Sequence, residues 1–200
     1  MGKSCITLNG EIIGEYKEEG FSDSTPRNIE FTEGAFRNNK NLTEVTLFAE
    51  DVEIPVSAFE NCEYLKHIRL ENRVKNIGKY AFCGCKNIEN VYIPGTVTIG
   101  VCAFSECTSL KKVEFEIMVK VIPKSCFSNC CKLEEIIFKD TQNSYLIIES
   151  LALNGCDELR SIRAKESKKE IDLSEIDIVK DNFEIAYKEG QSLILCKPQI

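Results

Sequence analysis

The chain has 200 residues, of which 43% are hydrophobic and 28% are charged, a balance typical of folded globular proteins. Lys and Arg together number 25 and Asp and Glu number 32, so the formal net charge at pH 7 is −7. An acidic chain argues against a nucleic-acid partner, because phosphate binding needs a basic surface. No apolar run approaches the roughly 18 residues of a membrane-spanning helix, so no membrane span is expected.

The first 28 residues are predicted to form an N-terminal β-hairpin cap. An Asn9-Gly10 pair separates two short apolar stretches, Ile6–Leu8 and Ile12–Ile13. Asn-Gly between alternating apolar residues is the strongest short-range signal for a hairpin. A polar connector, Phe21–Asn28, follows, and we expect the hairpin to cover the Phe31–Phe36 end of the core.

The cysteine count bears on the compartment. The chain has 11 cysteines, and an odd number cannot all pair within one molecule. No apolar stretch of the kind found in secretory signals follows Met1. Together these features favour reduced thiols and a cytoplasmic location for the chain as it stands. A chain from which a signal peptide had been trimmed would instead be secreted or displayed on the cell surface.

Six segments of equal length align without gaps and indicate an internal repeat. Each begins with a small residue and an aromatic or aliphatic one, and apolar residues recur in the same later columns. The segments begin at Ala35, Ala58, Ala81, Ala103, Cys126 and Ala152, so the steps are 23, 23, 22, 23 and 26 residues. Four residues before each start lies a further apolar position: Phe31, Ile54, Ile77, Ile99, Ile122 and Ile148.

The repeated pattern A-F-x-x-C-x-x-L-x-x-V-x-I-P, with I-G before the next A-F, resembles the BspA-like leucine-rich repeats. Lys79–Cys85 and Val91–Pro94 match it best, and Asn39 departs from it where Cys is usual. The resemblance covers about residues 29–164. It implies a leucine-rich-repeat solenoid in the α/β-type class, mostly β-strand and turn. Six right-handed coils of about 23 residues would form a parallel sheet with β-rich terminal caps.

Each coil is predicted to contain one short strand. The strands are Val45–Leu47, Ile68–Leu70, Val91–Ile93, Val113–Phe115, Ile136–Phe138 and Ile162–Ala164. Side chains alternate along a strand, so the first and third residues should point into the core and the middle residue outward. One coil cannot bury its own apolar face, so stacked coils supply the core.

Two columns are interpreted as parts of that core. The phenylalanines at 36, 59, 82, 104 and 127 should stack along the solenoid, and Leu153 ends the column. Three residues later lie Cys62, Cys85, Cys107, Cys130 and Cys156, whose S–H groups we expect to donate to turn carbonyls. Zinc needs converging ligands, whereas such a column holds its sulfurs parallel. No metal or other cofactor is therefore expected; metal binding and disulfides remain the alternatives.

Cys83, Cys102 and Cys131 fall outside the inward columns and are the thiols expected to react with oxidants. A thiol-based redox sensor or enzyme is therefore an alternative function. The single histidine, His67, would have to pair with Cys62 to activate a nucleophile. The repeat points Cys62 into the core and His67 toward solvent. The sequence therefore predicts that the protein is not an enzyme.

The regular repeat breaks near the C-terminus. Three extra residues lie within Lys139–Leu151, which is either a functional edge or a tolerated loop insertion. After a charged segment, Lys165–Glu170, alternating apolar residues in Phe183–Tyr187 and Leu193–Leu195 indicate a hairpin. Residues 165–200 are predicted to form a C-terminal cap, since about 30 residues bury too little core for a separate domain.

Solenoids expose an extended concave sheet on which partners commonly bind. The candidate partner-binding residues are Thr46, His67, Arg69, Tyr92, Glu114, Ile137 and Arg163. Arg69 and Tyr92 are the leading anchors, because Arg and Tyr are enriched at interface hot spots. The mixed charge of this face suits a protein, or a glycan, better than a polyanion.

We therefore expect a monomeric, non-catalytic binding module. The resemblance to BspA-like repeats implies an adhesion-type protein, since members of that family are often found at cell surfaces. An intracellular scaffold with the same fold is the alternative. The sequence does not identify the partner.

Overall fold

The computed structural model describes residues 4–8, 11–16, 32–48, 52–71, 74–95, 97–117, 119, 121–140, 145–164, 183–186 and 194–196. Phe31, the connector Phe21–Asn28 and the charged segment Lys165–Glu170 lie outside these residues. The described residues form fifteen β-strands joined by turns, with no helix among them. In this part of the chain there is accordingly no helical segment with the length and hydrophobicity that a bilayer crossing needs.

One strand of each coil lies on a side that we call the front. The front strands are β3 (Glu44–Phe48), β5 (His67–Glu71), β7 (Asn90–Ile93), β9 (Lys112–Ile117), β11 (Glu135–Asp140) and β13 (Ser161–Ala164). β3 pairs with β5, and β7, β9, β11 and β13 pair in sequence, all parallel. Equivalent residues face each other, as Val91 faces Val113 and Ile136 faces Ile162. These strands contain the predicted triplets, and the parallel stacking is confirmed.

Each coil also has a second, shorter strand that the sequence pattern did not predict. These back strands are β4 (Val52–Ile54), β6 (Val74–Ile77), β8 (Thr98–Ile99), β10 (Val121–Ile122) and β12 (Tyr145–Ile148). Each ends on the isoleucine that precedes the next Ala-Phe segment, and all five isoleucines are buried. β4, β6 and β8 form one parallel sheet, and β10 pairs in parallel with β12.

The Ala-Phe segments form a third side, the arm, which contains turns rather than strands. Backbone hydrogen bonds join successive arms: the Phe59 amide donates to the Ala81 carbonyl at 2.8 Å, and the Phe82 amide to the Ala103 carbonyl at 2.8 Å. Left-handed residues recur in two columns of the arm: Gly34, Ser57, Tyr80, Cys102, Ser125 and Leu151, then Asn38, Asn61, Gly84, Glu106, Asn129 and Gly155. These two reversals in every coil turn the chain around the core.

The core is one continuous cluster that runs through all the coils. Ring centroids along the predicted phenylalanine column are 5.4, 5.2, 5.3 and 5.6 Å apart, and neighbouring ring planes lie within 14° of parallel. Phe36 at the first coil is only partly buried, whereas the next four rings are fully buried. The predicted stack is confirmed. Phe115 and Phe138 form a second stacked pair beneath the front strands.

Both predicted hairpins are present, and each extends a sheet. β1 (Ser4–Leu8) pairs antiparallel with β2 (Glu11–Tyr16) and with β3. β14 (Phe183–Ala186) pairs antiparallel with β15 (Ile194–Cys196) and with β12. The N-terminal hairpin was expected over the Phe31–Phe36 end of the core; its backbone instead extends the front sheet, because β3 offers an unpaired edge there.

Candidate functional site

The cysteine column forms an inter-coil hydrogen-bond ladder. Each Sγ lies 3.0–3.2 Å from the carbonyl oxygen of the phenylalanine on the preceding coil. The pairs are Cys62 with Phe36, Cys85 with Phe59, Cys107 with Phe82, Cys130 with Phe104 and Cys156 with Phe127. The predicted donation to turn carbonyls is confirmed. Burial raises the pKa of the Cys62 thiol to about 11, so these groups stay protonated at neutral pH.

The described cysteines show neither of the alternatives that the sequence left open. The nine cysteines whose side chains the structure describes form no disulfide. Across the same described residues, no three His, Cys, Asp or Glu side chains come together as a metal site would require. For the ladder cysteines, parallel stacking explains both findings, because each ladder sulfur faces a backbone carbonyl of the preceding coil.

One of the outer thiols, Cys83, differs from a typical reactive cysteine. Cys83, Cys102 and Cys131 are half-buried, as their columns predicted. Burial, reinforced by the nearby Glu106 carboxylate, raises the pKa of the Cys83 thiol to about 11. Reactive cysteines need a lowered pKa, so the environment of Cys83 works against a redox or nucleophilic role.

The nucleophile–base pair considered in the sequence does not form. Cys62 is fully buried and its sulfur is bonded to the Phe36 carbonyl, whereas His67 is exposed at the start of β5. A general base must lie within hydrogen-bond reach of the proton it removes. The two side chains therefore do not supply cysteine–histidine chemistry.

We call the surface formed by side chains that the front strands turn away from the core the outward front face. Arg69 is exposed on it, Tyr92 is 38% exposed, and Glu114 is half-buried. The expected exposure fails at two candidates: Thr46 is 4% exposed and Ile137 is 3% exposed. Thr46 lies between β1 and β5 rather than at a sheet edge. Ile137 lies between Glu114 and Arg163 on the flanking strands; nothing is described of the Arg163 side chain.

Three coils contribute to a cluster around Tyr92. The Lys139 Nζ lies 4.4 Å from the centre of the Tyr92 ring and 2.8 Å from Glu114 Oε1. Lys112 Nζ lies 3.1 Å from the other carboxylate oxygen of Glu114. The hydrogen bond from Lys139 holds the pKa of the Glu114 carboxyl below its ordinary value. We call Tyr92, Lys112, Glu114 and Lys139 the tyrosine cluster.

Lys139 is not among the residues predicted from the sequence, because the repeat spacing places it at the start of the inserted loop. β11 in fact continues to Asp140, so Lys139 is still in a strand. Two residues beyond Ile137, it shares that residue's face of the sheet. The alternation of inward and outward side chains along the strand was the sequence signal that could have placed Lys139 on this face.

The front sheet is open at one step. β5 and β7 belong to different sheets, although they lie on successive coils. A cleft of about 520 Å³ lies there, lined by residues of β5, of the turn and strand of the next coil, and by Ser109 of the coil after that. His67 and Arg69 are among its lining residues. We call this opening the β5–β7 crevice.

The repeat pattern and the stacked coils agree with one protein family. Residues 29–145 match the model of the BspA type leucine-rich repeat region in six copies, which is more than half of the chain. The chain belongs to the BspA-type leucine-rich repeat family. The resemblance inferred from the motif is thus confirmed, and with it the leucine-rich-repeat solenoid fold.

One solved structure in the comparison is also a leucine-rich repeat protein. It comes from Bacteroides ovatus and is 21% identical to this BspA-type chain, with a TM-score of 0.45. The match covers 82% of this chain and 52% of the other. The chain therefore spans about half the length of that protein. No curated protein sequence matches the chain.

Proposed function

We propose that the protein is a non-catalytic protein-binding module whose partner contacts the outward front face around Tyr92. The tyrosine cluster is the observation that supports this proposal. An exposed aromatic ring is held in place by Lys139, which Glu114 in turn fixes at 2.8 Å. Preorganised Tyr side chains cost little entropy on binding and are frequent interface anchors.

The electrostatics of the cluster favour a protein over a polyanion. One carboxylate, Glu114, lies between two ammonium groups at 2.8 and 3.1 Å. The positive charge is thus partly neutralised, and the accessible features are a tyrosine ring and a cationic rim. A mixed surface of this kind matches the composition of protein interfaces. Arg69 and His67 on the neighbouring coil extend the same face.

The test is capture of partners by the immobilised chain from native lysate and from a panel of purified matrix proteins. We expect a variant carrying Tyr92→Ala and Arg69→Glu to lose the captured proteins while its melting temperature stays near that of the wild type. The matched control carries Tyr80→Ala and Arg37→Glu on the arm. Tyr80 also has a lysine over its ring, Lys79 at 5.0 Å, and Arg37 also has a glutamate partner, Glu60.

Capture that survives the front-face substitutions, or that falls equally with the arm substitutions, would remove the outward front face from consideration. The captured protein would also distinguish an adhesin from an intracellular scaffold, because matrix proteins and cytosolic proteins are separate pools. Cell fractionation is the companion measurement: a cytoplasmic location supports the scaffold, and a surface location supports the adhesin that the family suggests.

A further inference from the structure

The β5–β7 crevice interrupts a hydrogen-bond pattern that the other front steps share. Two successive amides at the start of a front strand donate to one carbonyl on the preceding coil. Lys66 and His67 donate to Thr43 at 2.9 and 3.2 Å, and Lys111 and Lys112 donate to Glu89 at 2.7 and 3.4 Å. The next two steps repeat this at the Lys111 and Glu134 carbonyls. Among the described residues, no backbone amide of β7 or its preceding turn makes the equivalent bond to Lys66.

The opening is confined to the front side of the molecule. Between the same two coils the arm stays bonded, since the Phe59 amide donates to the Ala81 carbonyl at 2.8 Å. The back strand β6 pairs with both β4 and β8. At this step the crevice therefore parts the front side alone, with backbone donors and acceptors of two strands on its walls.

Two cationic side chains, Lys66 and Arg69, and one carboxylate, Glu89, are among the residues that line the crevice. Lys66 and His67 are exposed and form no ion pair with any described residue. The Arg69 Nε lies 3.9 Å from Glu44 Oε1, which is too long for a hydrogen bond. The lining carboxylate, Glu89, is already engaged by Lys111 at 2.9 Å, and that bond lowers its pKa. The local charge is thus opposite to the net charge of the chain.

We propose that the β5–β7 crevice binds the carboxylate of an Asp or Glu side chain on an extended segment of the protein partner. Lys66 and Arg69 supply the cationic donors, and charge-assisted hydrogen bonds to carboxylates are the strong ones. The Asn90 amide and the Lys66 carbonyl supply one backbone donor and one acceptor at the mouth of the crevice for the segment itself. An acidic glycan would bind the two cationic side chains and would make no hydrogen bonds to the backbone groups of the crevice. This inference rests on the proposed function, because it places part of the partner on the same face.

The experiment titrates the ¹⁵N-labelled full chain with the blocked peptide acetyl-Thr-Val-Asp-Val-Thr-amide and follows amide chemical shifts. We expect shifts concentrated at residues 66–69 and 89–90. Replacing the peptide's Asp by Asn should weaken binding by about tenfold or more, since hydrogen bonds to charged groups are stronger by that order. Lys66→Glu should weaken it similarly. The control Lys124→Glu, an exposed lysine on another coil, should leave binding unchanged.

Four outcomes would overturn the crevice proposal: no localised shifts, equal binding of the Asn peptide, no effect of Lys66→Glu, or equal shifts on adding acetate or N-acetylneuraminic acid alone. Such a failure is distinguishable from failure of the proposed function. A partner whose capture falls with Tyr92→Ala and not with Lys66→Glu would leave the outward front face in place and eliminate only the crevice. Loss of capture by both variants, with localised peptide shifts, supports the two together.

Discussion

At the residue scale, the left-handed positions show how one coil differs from another. The column before each Ala holds Gly34 in the first coil and Leu151 in the last, and both have a positive φ. Gly adopts that conformation without a steric penalty, whereas a side chain with a Cβ does so at a cost. Asn tolerates it better than other residues, as Asn61 and Asn129 do in the second left-handed column.

Leu151 adopts this conformation without burying its side chain in return, because its φ is 58° and its side chain is 55% exposed. We expect Leu151→Asn to stabilise the fold by about 1 kcal/mol and to raise the melting temperature by about 2–4 °C. Leu151→Ala is the control, since it removes the exposed apolar side chain and keeps the unfavourable φ. Equal melting temperatures for the two variants would show that backbone strain contributes nothing here.

Close packing between coils imposes a different residue requirement. A Cβ on Gly78 would lie 2.6 Å from the backbone of Pro55 and Val56 on the preceding coil. A Cβ on Gly100 would lie 2.4 Å from the Lys79 nitrogen. The glycine of the I-G motif is therefore required for backbone contact at these two steps. This gives the motif a physical reason that the sequence alone did not supply.

At the element scale, the tyrosine cluster couples three front strands through one carboxylate. Lys139 lowers the pKa of Glu114 from its ordinary value of 4.5. A group with a lowered folded-state pKa stabilises the fold above its unfolded value and loses that contribution as the pH falls through the folded value. The contribution of Glu114 should therefore be complete above pH 4.5 and decline below it.

We expect Glu114→Gln to lower the melting temperature at pH 7 and to have a smaller effect as the pH falls from 4.5 toward 3. Thermal melts of both proteins across this range make the measurement. Glu53→Gln is the control, because the exposed Glu53 side chain has no partner among the described residues. A difference between Glu114→Gln and wild type that stays constant down to pH 3 would contradict the assigned role of Lys139.

The front strands, the phenylalanine stack and the cysteine ladder could be predicted from the sequence, because each is a column repeated at a fixed spacing. The back strands could not, since β8 and β10 have only two residues each, and one repeated isoleucine per coil does not by itself specify a strand. The prediction that Thr46 is exposed was wrong, because β1 pairs with β3 beside Thr46, and the repeat pattern contains no such strand. The crevice could not be predicted either, because the residues of β5 and β7 fit the same repeat columns as those of the paired strands.

At the whole-molecule scale, each coil is stabilised by its neighbours through three separate sides. The front strands, the back strands and the arm all bond coil to coil, and the ring stack passes through the middle. Repeat proteins of this kind derive stability from nearest-neighbour interfaces rather than from long-range contacts. Two steps lack strand pairing on one side: β5 and β7 belong to different sheets on the front, and β8 and β10 belong to different sheets on the back.

The reactivity of the ladder thiols measures whether the coils unfold together or one at a time. Cys85, Cys107 and Cys130 are fully buried, and burial raises the pKa of each thiol. Since the thiolate is the reactive form, we expect their alkylation by iodoacetamide at pH 7.5 to proceed only at the rate of unfolding. Mass spectrometry of peptides after timed labelling, in water and in mild denaturant, measures this. Fast labelling of any ladder thiol in water, while the others stay protected, would show a local opening or an activated cysteine.

The ladder also has a direction. Each ladder sulfur lies 3.0–3.2 Å from a carbonyl oxygen of the coil before it, and among the described residues no coil precedes the first one. That coil carries Asn39 at the cysteine position, and its Oδ1 accepts a hydrogen bond from the Asn41 amide at 2.9 Å instead. The absence of a cysteine at this column thus marks the first coil of the stack, and it can be recognised from the amino-acid sequence alone.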